Sequence, residues 1–273
     1  MDFDSSGRAR SLEPTSTSVQ NASASSALPG APHIVIESEE AGVQLNLGDL
    51  WAYRELLYFL TLRDIKVRYK QTLMGAAWVV IQPLMTMLIF TLIFNKFARL
   101  DTKDIPYPLF AYSGLLLWSF FSTAVTSGTN SLITNSHLVT KVYFPRVFIP
   151  AAAVGAGLVD LGIASLLLIA LAIYYGISPS WGPLLLPVFV LLAAMLALGT
   201  GMLVSALTVK YRDLRHALPF IMQFWMFASP VIYPTNIVPE QWRWILLVNP
   251  MTGILEGFRA ALTGQAFDWT MIV

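Results

Sequence analysis

The sequence predicts an all-α polytopic membrane protein, and three properties point there. Apolar residues fill 56 % of its 273 positions and charged residues only 12 %, against roughly 45–50 % and about 25 % in soluble domains. The mean hydropathy is +0.63, and 8 Trp, 10 Tyr and 16 Phe leave too little polar surface to coat a soluble globule. The apolar residues also come in long uncharged runs of the ~20 residues that cross about 30 Å of hydrocarbon. Five transmembrane helices are expected, with an N-terminal amphipathic interface helix and short outer re-entrant helices. A sixth span is expected at the C-terminus and is missing from the chain.

Residues 1–32 come first, a low-complexity stretch of Ser, Ala, Thr, Pro and Gly. It can bury too little surface to offset its ordering entropy and is read as a disordered tail. No apolar core follows Arg8 and Arg10, so it is not a signal peptide. Residues 33–49 form a short cytoplasmic segment, within which 33–37 could be a strand.

The interface helix is expected over 50–70. Tyr58, Leu62, Ile65 and Tyr69 share one face at helical spacing. Arg63, Lys66, Arg68 and Lys70 supply a basic stripe beside it. Such a stripe lets long side chains snorkel to headgroups while the apolar side sinks into the lipid boundary. The stripe reads equally as an ordinary positive-inside cluster or as a docking surface for a partner.

The membrane domain fills 75–273, with spans expected at about 75–95, 107–127, 148–173, 184–208 and 217–233. Pro83 should kink the first. The polar run 127–131, then Asn135 and His137, should end the second. Between Val147 and Val209 the only charge is Asp160, and a Gly/Pro-rich stretch near 174–183 divides that run in two. Asp160 reads either as a protonated acid bonded to a neighbouring helix or as a channel or gating group. Re-entrant helices are expected within 240–263, where Glu256 and Arg259 can pair at i, i+3. Trp242, Trp244 and Trp269 suit headgroup level.

Orientation follows from the loops. With the N-terminus inside, twelve of the 17 Lys and Arg lie on the inner side and five on the outer, the bias of a cytoplasmic N-terminus.

Several chemistries are excluded. A net charge of +1 lacks the dense basic patch of a nucleic-acid binder. Without cysteine there is no disulfide scaffold, thiolate metal site or cysteine nucleophile. His33, His137 and His216 are too scattered for a metal motif. The chain has no phosphate-binding loop, and no Gly-Lys pair at all. It has no H-E-x-x-H and no G-x-S-x-G. No catalytic residue, metal or cofactor is therefore expected in this chain. A proton-coupled carrier would show several intramembrane charges and repeated halves. Neither is present, so energy for transport should come from an ATP-hydrolysing partner.

The run Arg63-Asp-Ile-Lys-Val-Arg-Tyr-Lys-Gln-Thr-Leu-Met-Gly-Ala-Ala-Trp78, followed by Gln82-Pro83-Leu84, resembles the permease subunits of polysaccharide ABC exporters, of the type-2 ABC transporter family. So do Lys141-Val-Tyr-Phe-Pro-Arg146, Val209-Lys-Tyr-Arg-Asp-Leu214 and Asn249-Pro-Met-Thr-Gly-Ile-Leu-Glu-Gly-Phe-Arg259. They stand in the family's order, and the resemblance runs from about Leu45 to the end.

That resemblance implies a six-span subunit that pairs with a second copy of itself and with two separate ATPase subunits, which use ATP and Mg. It implies a lipid-linked polysaccharide of the O-antigen, capsule or teichoic-acid type as substrate. The location would be the bacterial cytoplasmic (inner) membrane. The segment 129–146 would form a coupling helix in a cleft of the ATPase, presenting Asn135, His137, Leu138, Lys141 and Arg146. The interface helix would lie along the cytoplasmic surface where the polymer enters.

A polysaccharide path wants flat aromatic faces and sparse charge. Phe110, Tyr112, Trp118, Phe120 and Phe121 on the second span could line it, with Phe224, Trp225, Phe227 and Tyr233 on the fifth. The channel candidates are Tyr112, Trp118, Phe121, Phe224, Trp225 and Tyr233. The rival readings are a type-2 ABC exporter of drugs or small lipids, and a membrane-embedded transferase or scaffold of envelope synthesis.

Overall fold

The uncharged runs become helices because a backbone in hydrocarbon must satisfy its own hydrogen bonds. The computed structural model describes residues 51, 53–70, 75, 77–97, 105–135, 144–177 and 181–267. The expected tail at 1–32, the segment at 33–49 and Trp269 lie outside the described residues. Helix α1 is Arg54–Lys70, and α2 is Ala77–Phe90, which runs on as a π-helical turn over Thr91–Phe97. Helices α3 (Tyr107–Thr134) and α4 (Phe148–Tyr174) follow. A 3₁₀ turn at Gly182–Leu185 leads into α5 (Leu186–Lys210), and then comes α6 (Leu214–Ala228). Two 3₁₀ turns, Thr235–Ile237 and Glu240–Trp242, precede α7 (Arg243–Val248) and α8 (Pro250–Thr263). The described residues contain no strand. The protein is all-α.

Four helical stretches are long and apolar enough to cross a membrane: Ala77–Phe94, Tyr107–Thr134, Phe148–Tyr174 and Gly182–Lys210. The span expected at 217–233 differs. Its helix α6 has 15 residues, about 22 Å at ~1.5 Å per residue, short of the ~30 Å hydrocarbon layer. Beyond Ala228 the chain runs without helix through Ser229, Pro230, Val231 and Ile232, all buried. Helices α7 and α8 meet at 93° across Asn249 and reach crossing length only together. A pair bent in this way is either one broken span or a re-entrant loop.

Helix α3 forms the centre. Each buried aromatic side chain withdraws about 150–250 Å² from water, and Tyr107, Phe110, Tyr112, Trp118, Phe120 and Phe121 are all buried along it. Helices α4 and α5 pack most extensively on it. Helix α5 presents Ala193, Ala197, Gly201 and Ser205 at four-residue spacing, all buried. Small side chains let two helix backbones approach where lipid offers no hydrophobic drive. Helix α4 does the same with Ala153, Ala156, Gly157 and Ala164. It ends where Gly176 takes a positive φ of 69°, which lets the N–H of Ile177 reach back to the carbonyl of Ala172.

Two details add to the periodicity reading. Helix α3 continues through the polar run at 127–131 to Thr134, and Asn135 caps its end. Its polar side chains donate back to their own helix: Asn130 to the Thr126 carbonyl, Ser131 to Gly128 and Thr134 to Asn130. They thus coexist with the helix instead of competing with it. Helix α1 also buries against protein a residue outside the set expected to face lipid. Tyr58 is 61 % exposed, and Leu60 is the buried residue. Leu60, with Leu56 and Leu57, packs on Phe144, Phe148, Ile149 and Ala152. Packing against α4 decided the face.

Candidate functional site

A cleft runs along α2 and α3, closed by α4 at one lobe and by α6 at the other, and its α1 end carries the charge. One lobe, about 320 Å³, is bordered by Arg68, Tyr69, Trp78, Gln82, Ser119, Phe120, Thr123, Ser127 and Asp160. A second, about 370 Å³, shares Gln82, Pro83, Ser119 and Thr123 and adds Thr86, Trp118, Ser122 and Gln223. The residue spacing explains the wall. Ser119, Thr123 and Ser127 recur at i, i+4 and i+8, so three hydroxyls form one stripe on α3. On α2, Pro83 lacks an N–H, which takes from the Val79 carbonyl its usual helical donor; both residues border the cleft. The side chains of Gln82, Ser119, Thr123 and Gln223 form no hydrogen bond with another described residue. They are open to a solute.

At the α1 end, Asp160 of α4 accepts hydrogen bonds from Arg68 and from the Tyr69 hydroxyl. The sequence leaves Asp160 either an acid bonded to a neighbouring helix or a channel group; the structure gives it Arg68 of α1 as a basic partner. The side chains of Arg68 and Asp160 keep 29 % and 14 % of their exposure, so the pair borders the cleft without being sealed from it. The Tyr69 phenol is pushed up to about 12, first by burial and then by the Asp160 carboxylate that accepts its proton bond. It stays a neutral donor.

A second polar centre lies where α6 breaks. Unwound backbone at membrane depth is tolerated only where protein satisfies it. Arg259 of α8, buried, donates to the carbonyls of Pro230 and Val231, each at 2.6 Å. It pairs with Glu256 at 3.2 Å and lies 3.7 Å from the Phe110 ring centroid. Tyr107 donates to the Ile232 carbonyl at 2.8 Å. Asn249 accepts from the Trp225 indole at 3.0 Å and from the Met251 N–H at 3.1 Å, and donates to Ser229 Oγ at 2.8 Å. Gly114 makes room: a Cβ there would overlap the Arg259 guanidinium and the Val231 carbonyl.

The residues singled out in the sequence fall in different surroundings. Tyr112 and Phe121 are fully buried in the core, Tyr112 donating to the Ala164 carbonyl at 2.9 Å. Trp118 borders the second lobe and packs with Phe121 and Trp225. Phe224 is 77 % exposed. Tyr233 is half-buried and donates to the Phe227 carbonyl. Of the basic stripe, Arg63 pairs with Asp64 at 2.8 Å, Arg68 with Asp160, and Lys66 and Lys70 are exposed. Asn135 caps the end of α3 and Arg146 is exposed. His137, Leu138 and Lys141 lie outside the described residues. No group of three His, Asp or Glu able to hold a metal occurs among the described residues.

The hydroxyl stripe and the Asn249–Arg259 centre were missed in the sequence. The stripe was visible as Ser-x-x-x-Thr-x-x-x-Ser within an apolar helix. Nothing in the local sequence linked Arg259 to residues 230 and 231.

Residues 55–263 match the family of ABC-2 type transporters. The chain is 34 % identical over 215 residues to the O-antigen export system permease protein RfbA of Myxococcus xanthus, covering 78 % of this chain and 82 % of that one. It is 28 % identical over 234 residues to the RfbA protein of Klebsiella pneumoniae, covering 84 % and 87 %. To the polysialic acid transport protein KpsM of Escherichia coli it is 25 % identical over 209 residues, covering 74 % and 79 %.

Proposed function

Because this chain belongs to the ABC-2 type transporter family, we propose that it is the membrane subunit of an ATP-driven exporter moving a lipid-linked polysaccharide across the bacterial cytoplasmic membrane. The observation that carries the substrate class is the cleft. Its wall offers an amide and a stripe of hydroxyls beside Trp78, Trp118 and Phe120. Sugars bring hydroxyls for the first and C–H faces for the second, and pockets for such ligands combine apolar lining with a few placed polar groups. The relatives named for O-antigen export and polysialic acid transport support the same class.

The chain itself is not an enzyme in this reading. It has no phosphate-binding loop, so ATP and Mg are used by two partner ATPase subunits while this chain pairs with a second copy. The N-terminus and the basic end of α1 face the cytoplasm, where anionic headgroups favour Lys66 and Lys70. The connection between α3 and α4, with Asn135, His137, Leu138, Lys141 and Arg146, docks on the ATPase. Its motion reaches the cleft directly, because both helices border it.

The test is ATP hydrolysis by the assembled transporter in proteoliposomes, with and without lipid-linked glycan. Stimulation by the glycan, abolished by Leu138→Trp while membrane insertion persists, is the expected result. Stimulation by small amphiphilic drugs or short lipids instead would replace the reading with that of a drug or lipid exporter.

A further inference from the structure

Resting on the reading that a polysaccharide passes this cleft, we propose that Asp160 makes it selective for glycans with uncharged repeat units, by neutralising Arg68. Among the described residues, Arg68 and Asp160 are the only charged side chains bordering either lobe. They bind each other, and Tyr69 donates to the same carboxylate. The cleft therefore presents a dipole at one end and no net charge.

The rest of the wall is matched to neutral sugars. Gln82, Ser119 and Thr123 border both lobes and form no hydrogen bond with another described residue. Each can donate and accept. A neutral repeat unit exchanges bonds to water for bonds to these groups with a small net change. Advancing by one unit replaces each bond by its equivalent, so no unit is held in place.

An acidic repeat unit fares differently. It must shed part of its water on entering the cleft, and that loss goes uncompensated unless a fixed cation offsets it. Arg68 is the one cation at hand among the described residues, and Asp160 already occupies it. Removing Asp160's charge would leave a guanidinium facing the cleft, able to draw in a carboxylate on the polymer. Asp160 is thus a specificity-determining residue, acting through Arg68.

The experiment uses the complete transporter with its ATPase in proteoliposomes. Two probes share one polyprenyl-diphosphate carrier and one chain length: a polymannose and a polyuronate. The neutral probe should stimulate ATP hydrolysis about fivefold more than the acidic one, the factor that corresponds to one modest charge interaction. Asp160→Asn should raise the response to polyuronate and bring that ratio toward one. Arg68→Gln combined with Asp160→Asn should restore the neutral preference. Gln82→Lys adds a cation elsewhere on the wall and should also favour polyuronate, which keeps the proposal testable if Asp160→Asn fails to fold. Equal response of the unmodified transporter to both probes would overturn the proposal, as would a ratio unmoved by every folded variant. Failure of both probes alongside stimulation by small amphiphiles would instead overturn the polysaccharide reading on which it rests.

Discussion

Gly114 occupies the position where one added methyl meets the least tolerant surroundings. Its Cβ would overlap a backbone carbonyl, at Val231, as well as the Arg259 guanidinium, and a backbone cannot swing aside as a flexible side chain can. Gly114→Ala should destabilise the protein by about 1–3 kcal/mol, the usual cost of overpacking, visible as a lower unfolding temperature in detergent. Arg259→Met should cost more. It strands the carbonyls of Pro230 and Val231, at roughly 1–3 kcal/mol for each buried group left unpaired. An Arg259→Met protein as stable as the parent would show that water, not arginine, satisfies that backbone. Tyr69 offers a pH test. Its phenol is raised from 10.0 to about 12, so the fold favours the protonated form. That contribution is complete below about pH 10 and is lost as pH rises through about 12. The ultraviolet difference between the parent and Tyr69→Phe should show no phenolate from this residue at pH 10. The sequence exposed the Glu256–Arg259 pair through its i, i+3 spacing. It could not expose the carbonyl clamp, because the acceptors lie 28 and 29 residues away.

Helix α1 is held to α4 by two unlike contacts. At one end Leu60 packs among Phe144, Phe148 and Ile149; at the other Arg68 and Tyr69 grip Asp160. Both partners of the ion pair are under one-third exposed, which places its worth between the ~0–1 kcal/mol of surface pairs and the ~3–5 kcal/mol lost on breaking buried ones. A double-mutant cycle with Arg68→Met and Asp160→Asn should return about 1–3 kcal/mol of coupling by thermal unfolding. Hydrogen exchange should rise in α1 on Arg68→Met, and a cycle near zero would mean that Leu60 alone holds the helix. The basic stripe was legible in the sequence, but its division was not. Arg63 and Arg68 find acids in Asp64 and Asp160, whereas Lys66 and Lys70 stay exposed. The periodicity of α1 admitted neighbouring faces, and only the α4 surface chose between them.

The described helices leave broad apolar faces uncovered. On α2 and the π-helical turn that continues it, Met85, Leu88, Ile89, Leu92 and Ile93 are exposed, and on α6 so are Phe220, Ile221, Phe224 and Phe227. In a bilayer such faces meet lipid or another helix at no hydrophobic cost. Orientation can be read out directly, because the chain has no cysteine of its own. Lys66→Cys and Arg212→Cys should be shielded from an impermeant thiol reagent in intact cells, while Gln241→Cys should label. Labelling at 212 from outside would reverse the orientation that the excess of inner Lys and Arg supports.

Composition and hydropathy were enough to establish an all-α membrane protein, since scarce charge and long apolar runs admit few other solutions in water or lipid. The family could be read from short motifs because those residues are local and ordered. What the sequence left open was every relation between distant residues. Asp160 gained its partner, α6 its break at Ala228, and α3 its hydroxyl-lined cleft from the way helices pack. Periodicity reports which face of a helix is apolar. It does not report which neighbour that face meets, and so pairing, burial and the shape of the cleft were settled by tertiary packing.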